Sequence, residues 1–209
     1  MTTSGFGGAI EGRGASIDDP SNVLVSFPSM DDREHQTCGE LLDREGPRGR
    51  DVILVSISDS PDRRIQRWRD TVGPLPQRLH IITAGDVSGP DPSTPAGADV
   101  TVTTDAVSSP SDLTGLGIAI STYLENHRER DAQLLVCFDS ITALLLHTDL
   151  QPVYKFLHVL TAQLQSVDAL AHFHLDPTAH TPQDVGAITS LFDTEIAADD
   201  DGSIEVRSR

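Results

Sequence analysis

Short runs of consecutive apolar residues alternate along this chain with longer stretches whose apolar residues recur every three or four positions. The runs are NVLVSF at 22–27, DVILVSI at 51–57, LHIIT at 79–83, QLLVCF at 133–138 and LAHFH at 170–174. Runs of this length bounded by Pro, Ser, Gly or Asp read as buried strands. A shorter run, VTVT at 100–103, predicts a further short strand. Between them the helical period predicts helices over 31–44, 61–70, 111–129, 152–166 and 182–192. Asp31 or Asp32 caps the first, Pro61 opens the second, and Ser111 or Asp112 caps the third. In the third, Leu113, Leu116, Ile120 and Leu124 share one face. Gly46-Pro47-Arg48-Gly49 breaks the chain after the first helix, and residues 85–95 read as loop. Residues 195–198 and 203–207 predict a final hairpin around Asp201-Gly202.

Strands without polar alternation are covered on both faces. The pattern therefore predicts an α/β fold: a mostly parallel sheet, helices on both faces, and a C-terminal β-hairpin. Residues 1–21 are rich in Gly, Ser and acid without periodicity, and read as a disordered tail ahead of a single domain over 22–209. Ligands of such sheets bind beyond the carboxyl ends of the strands. Those ends are Ser29 and Met30, Ser58 to Ser60, Gly85 and Asp86, Asp139 and Ser140, and His174 to Asp176.

Charge narrows the partners. With 32 acidic and 15 basic residues the net charge is −17. Such a chain repels nucleic acid and anionic membrane, so neither is expected as a partner. Lys155 is the only lysine, and many of the carboxylates are Asp. That balance fits adaptation to molar salt, where a Debye length of ~3 Å makes like charges cheap. The two cysteines, Cys38 and Cys137, make no disulfide framework and imply a reducing compartment; Cys137 reads as a buried strand residue. No apolar run approaches a bilayer span or a signal sequence, so the expected location is cytoplasmic.

The strand LLVCF ending in Asp139-Ser140 resembles the Walker B strand of RecA and KaiC relatives. The elements that follow it, a helix, a strand, an acidic segment and a hairpin, match KaiC-like domains over about 22–206. More narrowly, the strand HFHLDP at 172–177 resembles a haloarchaeal, KaiC-like family of unassigned function. The resemblance implies a RecA-like fold. It also implies ATP and Mg²⁺ as ligands, with Asp139 and Ser140 near the metal and Asp59 in the place of catalytic glutamates.

The same comparison exposes a departure. A phosphate loop needs glycines whose N–H groups wrap the phosphates and a lysine that reaches the terminal ones. Here the first strand leads into Pro28-Ser29-Met30-Asp31-Asp32-Arg33-Glu34-His35. Carboxylates stand where a triphosphate would lie, and they complement the positive end of the helix themselves. Arg33 offers one contact and Ser29 a hydroxyl, but there is no cradle. No catalytic residue and no resident cofactor is expected on this reading. Asp139, Ser140, Asp59 and Ser29 remain the candidate ligand-binding residues.

A second constellation is His172, His174 and Asp176, which alternate onto one face of a strand. Two histidines and a carboxylate suit Zn²⁺ or Fe²⁺, with His180 able to complete the set. The pattern resembles the opening of metallo-β-lactamase-like hydrolases, except that Pro177 stands where their final His would be. A Ser-His-Asp set from Ser29 or Ser140, His174 and Asp176 lacks its nucleophile elbow. The helix over 152–166 carries Phe156, Leu157, Leu160 and Leu164 as core, with Tyr154 and His158 able to extend an interface patch. The expected function is a non-catalytic regulatory or scaffold domain that binds a protein partner or self-associates. The alternatives are an atypical ATP/Mg²⁺-binding ATPase or sensor, and a metal-dependent hydrolase.

Overall fold

The computed structural model describes residues 22–43, 50–57, 59–85, 100–130, 132–198 and 203–208. The tail at 1–21, the break at Gly46 to Gly49, Ser58, the loop from Asp86 and the Asp201-Gly202 turn lie outside the described residues.

Eight strands form one sheet. They are β1 (Asn22–Ser26), β2 (Arg50–Ile57), β3 (Arg78–Ala84), β4 (Thr101–Val107), β5 (Gln133–Asp139), β6 (Leu170–Leu175), β7 (Thr194–Ala198) and β8 (Ile204–Ser208). Their order is β4-β3-β2-β5-β6-β1-β7-β8; all neighbours are parallel except β7 and β8, which pair antiparallel as the C-terminal hairpin. This is the α/β architecture expected from the pattern, a mostly parallel sheet with a C-terminal hairpin, and it is consistent with the fold that the resemblance implied. The helices are α1 (Asp32–Asp43), α2 (Pro61–Thr71), α3 (Leu113–His127), α4 (Ile141–Leu145), α5 (Leu150–Gln165) and α6 (Pro182–Thr189).

The sheet separates two cores. On one face Leu41 and Leu42 of α1 and Ile65 and Trp68 of α2 pack on Val23, Val25, Leu54 and Cys137. On the other, Leu116, Ile120 and Leu124 of α3 and Leu157, Leu160 and Leu164 of α5 cover Leu24, Ile53, Val136 and Phe173. Strand residues alternate between the faces, so a wholly buried strand such as β1 feeds both. Each buried Leu or Phe contributes roughly 1.5–3 kcal/mol of transfer free energy.

Local chemistry sets the boundaries. The Ser60 hydroxyl accepts from Arg63 N–H with Pro61 in the first turn of α2, and the Asp112 carboxylate accepts from Gly115 N–H at 2.8 Å to start α3. Asp31 accepts from Arg33 N–H at 3.0 Å ahead of α1. Gly39 lets α1 approach α2, because a Cβ there would lie 3.0 Å from Thr71 Cγ2.

Several elements differ from expectation. The strand expected at 100–103 runs on to Val107, because its whole length pairs with β3 at the sheet edge. The short α4 and a 3-10 turn at Pro177–Ala179 carry too few residues to show a period. Helix α5 starts at Leu150, with Pro152 tolerated in its first turn, where a missing N–H costs nothing.

Candidate functional site

Helix α1 leaves β1 onto one face, whereas the helices that follow β5 and β6 lie on the other. The carboxyl edge of the sheet near β1 and β6 is therefore the place where such folds hold ligands. Its groups are already engaged with one another. Ser29 N–H donates to Asp176 Oδ2 at 2.9 Å. The other Asp176 oxygen accepts from Thr178 N–H at 2.8 Å and Thr178 Oγ1 at 2.6 Å. Burial pushes the Asp176 carboxyl up, but these donors outweigh it and bring its pKa to about 2.

Beyond β5, Asp139 Oδ2 accepts from Arg64 Nη1 at 2.5 Å and Arg67 Nη1 at 3.1 Å. Arg67 Nη2 also reaches Asp59 at 2.9 Å. Ser140 caps α4 by accepting from Ala143 N–H at 3.1 Å. Arg33 binds Asp31 through Nε and Nη2, at 2.9 and 2.6 Å. The four candidate ligand residues thus split three ways. Asp59 and Asp139 share one arginine network; Ser29 is tied to Asp176, and Ser140 to its own helix.

The histidines of β6 lie under α1. His172 and His174 come together with both cysteines of the chain. Cys38 Sγ lies 3.2 Å from His172 Nε2, Cys137 Sγ lies 3.6 Å from His174 Nε2, and the two sulfurs are 3.9 Å apart. All four donor atoms lie within 4.8 Å of one another, and the cluster could hold a metal ion. Three elements build it: α1 supplies Cys38, β5 supplies Cys137, and adjacent β6 supplies the histidines in register, Cys137 opposite His172. Cys137, His172 and His174 are buried, and Cys38 is half-buried.

A second layer surrounds these four. His174 Nδ1 pairs with Glu34 Oε1 at 2.8 Å. Arg64 Nη2 donates to Cys137 Sγ at 3.3 Å. The Cys38 contact holds the Cys137 thiol well below its usual range against the effect of burial, helped by His172, Arg64 and His174. Burial disfavours a charged His174, yet Cys137 and Glu34 overcome it and raise its pKa to about 10. A cavity of about 160 Å³ adjoins the cluster, lined by Glu34, Cys38, Arg64, Trp68, Asp139 and His174 among others.

Asp176 is no part of this cluster; its carboxylate caps Ser29 and Thr178. His180 Nε2 instead meets Thr142 Oγ1 at 3.2 Å. With His174 held between Glu34 and Cys137, no Ser-His-Asp set assembles among the described residues. Sequence reasoning paired the two histidines but missed the cysteines, which stand 99 positions apart. The available signal was two same-face histidines on a strand in a chain with only two thiols.

The fold has solved counterparts. A protein from Pyrococcus horikoshii OT3, solved in a structural study, superposes with a TM-score of 0.57 over 91% of this chain and 87% of its own, at 13% sequence identity. At that identity the likeness speaks for the fold alone. No curated protein matches this sequence at a significant level. Residues 20–198 match the sequence model of DUF7504, a family of unknown function, and the chain belongs to that family.

Proposed function

We propose that this chain is a non-catalytic, KaiC-like regulatory or scaffold domain that binds a protein partner, or a second copy of itself, without nucleotide. The observation that carries the reading is the occupation of the carboxyl edge by the protein's own charges. The Asp176 carboxylate sits on Ser29 N–H, where a nucleotide-binding relative would offer backbone donors to phosphate. The Asp139 carboxylate, which would hold Mg²⁺ in such a relative, is neutralised by Arg64 and Arg67. A triphosphate with its metal would have to break both sets of contacts and then lie beside Asp31, Asp32 and Glu34.

Two large apolar side chains on that edge support a protein partner. Met30, after β1, is 95% exposed, and Leu146, after α4, is 76% exposed. Side chains of this type gain most from being covered by another protein. The acidic, lysine-poor surface supports a molar-salt setting and argues against nucleic acid as the partner.

Thermal unfolding in molar KCl with and without millimolar ATP and Mg²⁺ tests the reading. A micromolar site would add about 4 kcal/mol at a thousandfold excess over its Kd. The expected result is an unchanged Tm. A rise of several degrees would support the rival reading, an atypical ATP-binding sensor or ATPase.

A further inference from the structure

We propose that Cys38, Cys137, His172 and His174 form a closed tetrahedral site for one Zn²⁺ ion. The site touches the Asp139 network through Arg64 but takes none of the carboxyl-edge candidate residues as a ligand, so the inference stands whether or not nucleotide binds at that edge.

The distances carry it. With Zn–S bonds of about 2.3 Å and Zn–N bonds of about 2.05 Å, the edges of a tetrahedron are about 3.8 Å between two sulfurs and about 3.5 Å between sulfur and nitrogen. The observed separations are 3.9 Å for the sulfurs and 3.2 and 3.6 Å for the sulfur–nitrogen pairs. All four donor atoms lie within 4.8 Å of one another, close enough for side-chain adjustment to bring them around one centre. The sulfurs are far from the ~2.05 Å of a disulfide, so the thiols are apart as ligands would be.

The chemistry of the set selects the ion. Two thiolates with two imidazoles at tetrahedral spacing suit Zn²⁺, whereas Mg²⁺ and Ca²⁺ want oxygen. Two thiolates also cancel the charge of the ion, so the buried centre is neutral overall. Two neighbours fit a ligand set rather than chance packing. Glu34 Oε1 lies 2.8 Å from His174 Nδ1, placed to accept its N–H, so that Nε2, toward Cys137, is the nitrogen that would bind the ion. Metal-bound histidines are commonly oriented this way by a carboxylate. Arg64 donates to Cys137 Sγ, as a positive group would to a metal-bound thiolate.

The role follows from the connectivity. All four positions are taken by protein, and three of the ligands are buried, so no corner is left for water or substrate. The ion is a staple: it ties α1, through Cys38, to β5 and β6. In a nucleotide-binding relative a phosphate would anchor the start of that helix; here the metal anchors its middle.

The test uses the full chain, purified without chelator under reducing conditions. Elemental analysis should find one zinc per chain. Protein stripped with chelator, checked as folded by circular dichroism and with both thiols free, should then take up one equivalent of Co²⁺ with the visible bands of a tetrahedral thiolate complex. Cys38→Ser, at the half-buried position, should lose stoichiometric zinc and weaken those bands while keeping the native spectrum. If that variant fails to fold, the cobalt titration of the unaltered chain decides alone. The proposal is overturned if the native chain carries no zinc and the stripped, folded chain gives no thiolate band. It is equally overturned if zinc persists in folded Cys38→Ser.

Discussion

At the start of β2 a single buried carboxylate is matched by three nitrogen donors. Asp51 is 1% exposed at the start of β2, yet it is ringed by His127 Nδ1 at 3.1 Å, Arg130 Nη1 at 3.0 Å and Arg78 Nη1 at 3.5 Å. Burial raises its pKa, but Arg130 and His127 outweigh that and hold it below its ordinary 3.8. A carboxyl depressed in the folded state contributes stability that is complete above the unfolded pKa and drains away as pH falls through the folded one. Asp51 should therefore add to acid sensitivity below about pH 4. Removing one partner of a buried ion pair costs roughly 3–5 kcal/mol. Because Arg78 and Arg130 are partly exposed and can rehydrate, Asp51→Asn should cost about 3 kcal/mol in urea unfolding at pH 7. A cost below 0.5 kcal/mol would mean the ring of partners is ornamental. None of this was legible in the sequence, where Asp51 reads only as the polar first residue of a strand.

Among elements, legibility tracked length and period. The wholly apolar runs of β1, β2, β5 and β6 announced a parallel sheet, because strands buried on both faces carry no polar alternation. The same rule leaves edge strands faint: β4 alternates exposed and half-covered residues, and its pairing extends beyond what its composition suggests. Helix starts were readable because caps are local. At α3 the Asp112 carboxylate accepts from Gly115 N–H in the first turn. Asp112→Ala should lower stability by about 1 kcal/mol, and Asp112→Asn by less, measured by urea midpoint at fixed pH. Equal losses for the two variants would show that charge at the helix start matters more than the hydrogen bond. The Cys/His cluster was half legible. Two histidines on alternate strand positions announce a shared face, but which elements lie over that face is set by strand order. β5 next to β6 and α1 above them are facts of topology, so the cysteines joined the set only in three dimensions.

At the scale of the whole molecule, the net charge of −17 acts on everything else. Self-repulsion opposes the compact state until salt screens it, and at 1 M the screening length is ~3 Å. Thermal stability should rise between 0.1 and 2 M KCl, and potassium chloride should act much like sodium chloride; a Tm that falls with salt would show that the arginine–carboxylate networks outweigh the general repulsion. Among the described residues no helix is long and apolar enough to cross a membrane, so the exposed Met30 and Leu146 are not part of such a span. The larger claim, proposed above, is that this mostly parallel sheet has turned its ligand edge inward. Asp176 and the arginines around Asp139 satisfy the groups that phosphate and magnesium would otherwise engage. Isothermal titration of Mg²⁺–ATP into the folded chain in molar KCl measures that claim most directly. The account predicts no saturable heat up to millimolar nucleotide. A one-to-one isotherm with micromolar affinity would contradict it.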